Sequence, residues 1–375
     1  MLIMFSVLAS RVIGFGRIMY IAAAFGAQGK TDAYLVAFTI PDLLNYWLTG
    51  NLVSEYTNAT TTQFVDAETR SWATGLLADL DLPSRLLLPI VEPGTRIGSL
   101  KCEVSSTRAG TPVVAPACHD TGSAVAAVCL TEKAAFLSSG TWSLLGAELR
   151  KPVITAQSRE LNFTNEGGVC GSTRLLKNIA GLWLLQSCRR SWADEGREFA
   201  YQDLLEAASQ TECFRSLFDP DDHVFLNPPH MPLAIAEYCS RTGQQAPSSP
   251  AEFVRAILES LAFKYRTVLE SLEQLTGIRF EEIRVIGGGS KNRLLNQVTA
   301  DATGRRVVAG PAEATALGNI AMQMLATGAV ATLTEARQVI DRSFAQETFE
   351  PRDVDRWDAH YSRFQDYLTY ANRRN

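Results

Sequence analysis

Residues 280–310, FEEIRVIGGGSKNRLLNQVTADATGRRVVAG, constrain this chain more than any other stretch. An apolar run leads into three glycines, a helical pattern follows, and a second apolar run closes a compact strand–turn–helix–strand unit. The same alternation recurs along the chain. Strands are predicted at 111–118 and over 134–146, where two runs are joined by a turn at Ser139-Gly140-Thr141. Helices are predicted at 121–128, 173–192, 199–209 and 251–276, the last opened by Ser249-Pro250 with Glu252 in its first turn. A further helix is expected in PAEATALGNIAMQMLATG, stopped by Gly328, and the charged tail 334–373 is helical in pattern. Nearer the N-terminus, 43–49 reads as the end of a buried helix, 54–63 as a hydroxyl-rich loop and 66–80 as a surface helix. Strands alternating with long helices predict an α/β fold.

A chain of 375 residues buries a large core and predicts two or three domains. A net charge of −5 and an isoelectric point near 5.6 give no basic footprint, which argues against nucleic acid as a partner. The seven cysteines (Cys102, Cys118, Cys129, Cys170, Cys188, Cys213, Cys239) form no C-x-x-C pair, and there are four histidines in all. Neither a disulfide scaffold nor a zinc site follows, and a reduced cytoplasmic setting is expected. Residues 1–27 are apolar except for Arg11 and Arg17, which interrupt the run a spanning helix would need. No positive region precedes that run, so a signal peptide fits poorly. A helix lying at a membrane edge and a loosely packed appendage both remain open.

Asp120 falls where a strand runs out and a small-residue helix begins, a position that suits an N-cap and a catalytic base alike. His119 beside it reads first as a hydrogen-bonded structural residue. The Gly140-Thr141 turn is either an ordinary hairpin or a phosphate cradle with free N–H groups and a hydroxyl. Gly287-Gly288-Gly289 lets a backbone approach a ligand, and Ser290 can cap the helix that follows. The run matches neither G-x-G-x-x-G nor a Walker A loop. Asn178 and Gln186 fall on the predicted helix 173–192, about 12 Å apart along its axis and about 80° around it. Glu166-Gly167-Gly168 before them reads as a flexible loop. A base beside a phosphate turn points to phosphoryl transfer.

The segments IPDLLNYWLTG (40–50), EYTNATTTQ (55–63), CHDTGSAVAAV (118–128), FLSSGTWSLLG (136–146), NFTNEGGVCGSTRLLKNIAGLWLLQ (162–186) and VIGGGSKNRLLNQVTADATGRRVVAGPAEATALGNI (285–320) resemble the FGGY carbohydrate kinases, and within them the rhamnulokinase group. The likeness covers roughly 38–370. It implies an actin/hexokinase-like (ribonuclease H-like) ATPase architecture of two domains, with a partial N-terminal domain over 38–128 and a near-complete C-terminal domain over 129–375. It implies Asp120 as general base, His119, Thr121 and Asn178 as sugar contacts, and Thr141, Gln186 and Gly288 as nucleotide contacts. ATP with Mg²⁺ would phosphorylate L-rhamnulose to L-rhamnulose 1-phosphate, and no residue is assigned as a metal ligand.

The family carries an opening Asp/Gly phosphate loop in a segment ahead of the I-P-D-L-L-N region, and nothing similar precedes residue 38. Instead SRVIGFGRIMYIAAAFGAQGKTDAYLVAFTIP (10–41) resembles the start of the MurJ/MviN lipid II flippases, within an apolar segment 1–37. Two alternatives follow. One is a catalytically impaired remnant that still binds nucleotide, with an exposed sheet edge that needs a partner. The other is a membrane-associated fragment of flippase origin.

Overall fold

The computed structural model describes residues 46–104 and 108–372. The chain forms two compact units, one ending at His119 and one beginning at Asp120. The apolar segment 1–37 and its flippase-like motif lie outside the described residues. Among the described residues no helix is long and apolar enough to cross a membrane.

The described part of the first unit is built on three short strand pairs. β1 (Ser54–Glu55) pairs in parallel with β4 (Ile90–Val91). β2 (Val65–Asp66) pairs with β3 (Ser71–Trp72), and β5 (Thr95–Ser99) with β6 (Pro112–Ala115), both antiparallel. The strand expected over 111–118 is therefore shorter, ending at Ala115. The expected loop 54–63 is instead a strand, one helical turn (Tyr56–Ala59) and a 3-10 turn (Thr60–Thr62). Its threonines do not float in solvent: Thr60, Thr61 and Thr62 each donate a hydroxyl to the carbonyl three residues back. The surface helix expected over 66–80 is broken by Asp66, whose carboxylate takes the N–H groups of Glu68 and Thr69 and folds a hairpin. Only Thr74–Asp79 is helical. Residues 46–49 end a helix at Gly50, whose φ is 85°, but Tyr46 and Trp47 are 49% and 61% exposed, so that end is not buried.

The second unit is a seven-stranded sheet. Its strands are β7 (Ala134–Ser139), β8 (Trp142–Leu149), β9 (Thr164–Gly167), β10 (Thr173–Ala180), β11 (Glu282–Ile286), β12 (Arg306–Ala309) and β13 (Glu347–Phe349), in the order β13-β12-β11-β7-β8-β10-β9. β7, β11 and β12 run parallel and the remaining pairs antiparallel. Alternation along each strand feeds two cores. Ala135, Leu137, Leu145, Leu175, Ile179, Ile283 and Val285 join the larger one, built around the helix Pro250–Thr276. Phe136, Leu176 and Ile286 join the smaller one, covered by the helices Asp120–Ala126, Ala314–Ala326 and Leu333–Ser343. The long helix starts as expected, with the Ser249 hydroxyl accepting the Glu252 N–H and Pro250 in its first turn, and it stops at Gly277 in the left-handed region.

Residues 173–192 are not one helix. TRLLKNIA is β10, and the helix begins only at Trp183. A strand buried on both faces loses its period-two signature, and its apolar run is then indistinguishable from a helix face. Likewise Thr164–Gly167 is no flexible loop but an edge strand paired with β10.

Candidate active site

The hairpin from β7 to β8 turns through Gly140 and Thr141, with Ser139 opposite Ser143. The Gly140 N–H is used inside the hairpin, donating to the Trp142 carbonyl at 2.9 Å. The two turn carbonyls are used as well. Gly140 accepts the Leu182 N–H and Thr141 accepts the Trp183 N–H, both at 2.9 Å. The turn is thus tied to the start of the helix Trp183–Asp194. Four residues in, Gln186 accepts the Thr141 hydroxyl at 3.3 Å. Thr141 and Gln186 are both exposed, and a helix N-terminus beside the turn favours negative charge there. Gly181 makes the approach possible: a Cβ on it would meet the Gly140 and Thr141 carbonyl oxygens at 2.8 Å. Beneath the turn, the Ser143 hydroxyl meets the Tyr265 phenol at 2.7 Å, and burial pushes that phenol up to about 12.

The three glycines after β11 divide the work. Gly287, at φ 83°, and Gly289 press on the end of β7, where an added Cβ would lie 2.8 Å from the Ser139 carbonyl oxygen and 2.0 Å from the Ser139 hydroxyl. Gly288 faces open space, with nothing within 4 Å of the same construction. The cap of the helix Arg293–Thr303 is Asn292, not Ser290, since the Asn292 side chain accepts the Leu295 N–H at 3.0 Å. Gly289→Ala should therefore lose about 1–3 kcal/mol of stability through overpacking, while Gly288→Ala melts with the parent chain. Thermal unfolding of the two variants checks this.

Asp120 opens the helix Asp120–Ala126. Its Oδ1 accepts the Thr121 N–H at 2.6 Å and the Thr121 hydroxyl at 3.3 Å. Thr121 is buried with its hydroxyl on Asp120. The Asp120 carbonyl accepts the Thr315 hydroxyl at 3.2 Å, at the start of the helix Ala314–Ala326. That helix follows Pro311, whose carbonyl meets the Gly287 N–H at 3.4 Å. Asp120 and Gly288 therefore belong to the same end of the sheet, beyond the carboxyl ends of its parallel strands, which is where α/β sheets bind ligands.

Asn178 is on β10, exposed, in a row that crosses four strands: Ile286 opposite Ser138, Ser138 opposite Leu144, Leu144 opposite Asn178. Two residues from Leu176, it shares the face that the Asp120 helix covers. Asn178 and Gln186 thus lie on different elements and not on one helix as expected. Within this unit the fold gathers Asp120, Thr121, Asn178, Thr141, Gln186 and Gly288 at one end of one sheet. His119 closes the other unit, where its N–H donates to the Thr57 hydroxyl at 3.1 Å. Among the described residues no group of three or more His, Cys, Asp or Glu side chains could hold a metal ion.

Sequence reasoning missed two carboxylates. Glu55, 2% exposed, accepts the N–H groups of Thr57, Asn58 and Cys118 and the Thr57 hydroxyl. Burial pushes its carboxyl above the usual range against the pull of these bonds. Asp221 accepts the Ala180 N–H at 2.6 Å and pairs with the buried Lys264 at 3.0 Å. An acid two residues before Thr57 was a signal for the first; for Asp221 no local pattern exists, because its partners are remote in sequence.

Residues 28–129 match the family model described as "FGGY family of carbohydrate kinases, N-terminal domain", and residues 135–327 match its C-terminal domain. A curated rhamnulokinase of Bacteroides thetaiotaomicron is 50% identical over 328 residues, which is 87% of this chain and 67% of that protein. One of Pectobacterium carotovorum is 45% identical over 329 residues, 87% of this chain and 64% of that protein. The chain thus spans about two thirds of the length of these relatives. Among solved structures, a xylulose kinase from Rhodospirillum rubrum superposes with a TM-score of 0.71 at 16% identity, covering 96% of this chain and 72% of that one. That likeness establishes the fold, an α/β architecture of the actin/hexokinase-like kind.

Proposed function

Because the chain belongs to the FGGY family of carbohydrate kinases, we propose that it phosphorylates a ketose with ATP, converting L-rhamnulose to L-rhamnulose 1-phosphate. The observation that carries this is the convergence of Asp120 with the Thr141–Gln186 pair and the open face of Gly288 at one end of the sheet. The relatives called rhamnulokinase supply the sugar.

Asp120 takes the proton from the terminal hydroxyl as its oxygen attacks the γ-phosphorus. One P–O bond forms, the bond to the β-phosphate oxygen breaks, and ADP leaves with the electron pair. The Thr141 hydroxyl donates to the phosphates, and the nearby helix N-terminus favours their charge. The adenosine would lie over Gly288, where a side chain would intrude. Asn178 contacts the sugar, and Thr121 acts by holding the Asp120 carboxylate. Mg²⁺ bound with ATP would neutralise phosphate charge.

The test is ATP consumption by the purified chain with L-rhamnulose, D-xylulose and D-fructose in parallel. Turnover with L-rhamnulose exceeding that with the others by at least about tenfold is expected. No sugar-dependent turnover with any ketose overturns the reading.

A further inference from the structure

The Gly140-Thr141 turn hangs from a strand end that is itself tethered. Ala180 closes β10, and its N–H donates to Asp221 Oδ1 at 2.6 Å across 41 residues of sequence. Gly181 comes next and is pressed on the turn, then Leu182 and Trp183 donate their N–H groups to the turn carbonyls. On its far side Asp221 is fixed by Lys264, whose ammonium lies 3.0 Å from Asp221 Oδ2 and 2.7 Å from Asp219 Oδ1. Lys264 is on the long helix Pro250–Thr276, next to Tyr265, whose phenol meets Ser143 under the turn.

We propose that Asp221 is a positioning residue for phosphoryl transfer, setting the Gly140-Thr141 turn through the Ala180 N–H. This rests on the kinase reading above.

The bland alternative is an ion-pair cluster around the buried Lys264 that merely holds the loop 219–222 in place. Two features speak against it. A loop needs no charge to be held, and desolvating the Lys264 ammonium with the Asp219 carboxylate is costly unless each is well placed. Burial works against the Lys264 charge, and the two carboxylates outweigh it, so the ammonium is kept. The second feature is direction: Asp221 presents one oxygen to Lys264 and the other to the strand end that carries the turn. Lys177, also half-buried here, turns its ammonium to the Leu161 carbonyl at 2.8 Å and leaves both acids to Lys264.

Asp221→Ala and Asp221→Asn separate the roles. The alanine variant loses the acceptor for Ala180, whereas asparagine keeps an oxygen in that place and loses only the charge. In the alanine variant kcat/KM for ATP is expected to fall by about 10–100-fold, the penalty of a small misplacement, with the KM for the sugar nearly unchanged. The asparagine variant should recover most of that loss. Amide exchange of Leu182 and Trp183 should quicken in Asp221→Ala and not in Asp221→Asn, while the helix Pro250–Thr276 keeps its protection. Equal losses in both variants, or parallel loss in both substrates' KM, overturn the proposal. If the parent chain phosphorylates no ketose, the kinase reading fails on its own. The exchange measurement then still decides the tether, since unchanged exchange at Leu182 and Trp183 in the alanine variant refutes it.

Discussion

Replacing Asp120 by asparagine is expected to lower kcat for sugar phosphorylation by about 10²–10⁴-fold, the usual weight of a general base. Everything else about the residue should survive the change. Asparagine fills the same volume, begins the helix Asp120–Ala126 as well as aspartate does, and can accept the Thr121 N–H through its own Oδ1. The Asp120 main-chain carbonyl, which takes the Thr315 hydroxyl, is untouched. What disappears is a lone pair basic enough to take the proton of the attacking hydroxyl. ATP contacts are assigned to Thr141, Gln186 and Gly288, none of them bonded to the Asp120 side chain. Nucleotide affinity should therefore change by less than about twofold, well under 1 kcal/mol. Titration calorimetry with ATP and a coupled kinase assay on the same preparation separate the two quantities. Retention of parental turnover would remove Asp120 from the role of base.

The parts of this fold that were legible in the sequence are those whose signals are local. Ser249-Pro250 announces the long helix because a hydroxyl cap and a preset φ act within one turn. The strand, glycine turn and helix over 280–310 are legible for the same reason. Asp120 was visible at a strand–helix junction, although only the fold shows that its carbonyl is held by Thr315, far along the chain. Where the reading failed, a remote contact decided. β10 looked helical because both of its faces are buried, and the one local hint was Gly181 inside the supposed helix. The loop expected at 54–63 became ordered because Glu55 meets Cys118 across 63 residues of sequence. Asn178 was read on a helix, and a strand face presents it instead. Glycines carry the same lesson, since Gly287, Gly288 and Gly289 look alike in sequence and only their neighbours tell two packing positions from one open one.

Gly318→Ala is expected to damage stability and catalysis together, although on propensity alone it should help. Gly318 lies inside the helix Ala314–Ala326, and replacing a helical glycine by alanine ordinarily gains roughly 0.5–1 kcal/mol. Here the new Cβ would lie 1.7 Å from the Ser123 carbonyl oxygen and 2.6 Å from its carbon. Those are backbone atoms of the helix Asp120–Ala126, so no rotamer change relieves the clash and one helix must move. Overpacking of this kind costs about 1–3 kcal/mol or more, which outweighs the propensity gain and reverses its sign. The helix that moves is the one that starts at Asp120, and the pair is clamped there by Thr315 to the Asp120 carbonyl and by the Ser123 hydroxyl to the Thr315 carbonyl. Displacing a reacting group by about 1 Å costs on the order of 10²-fold in rate. A lower melting temperature with kcat reduced by that order is therefore expected, with the affinity for ATP largely kept. Ser123→Gly should not rescue the variant, because the obstruction is the carbonyl and not the side chain. A Gly318→Ala chain that melts at or above the parent temperature and turns over normally would show that the two helices do not meet through this glycine.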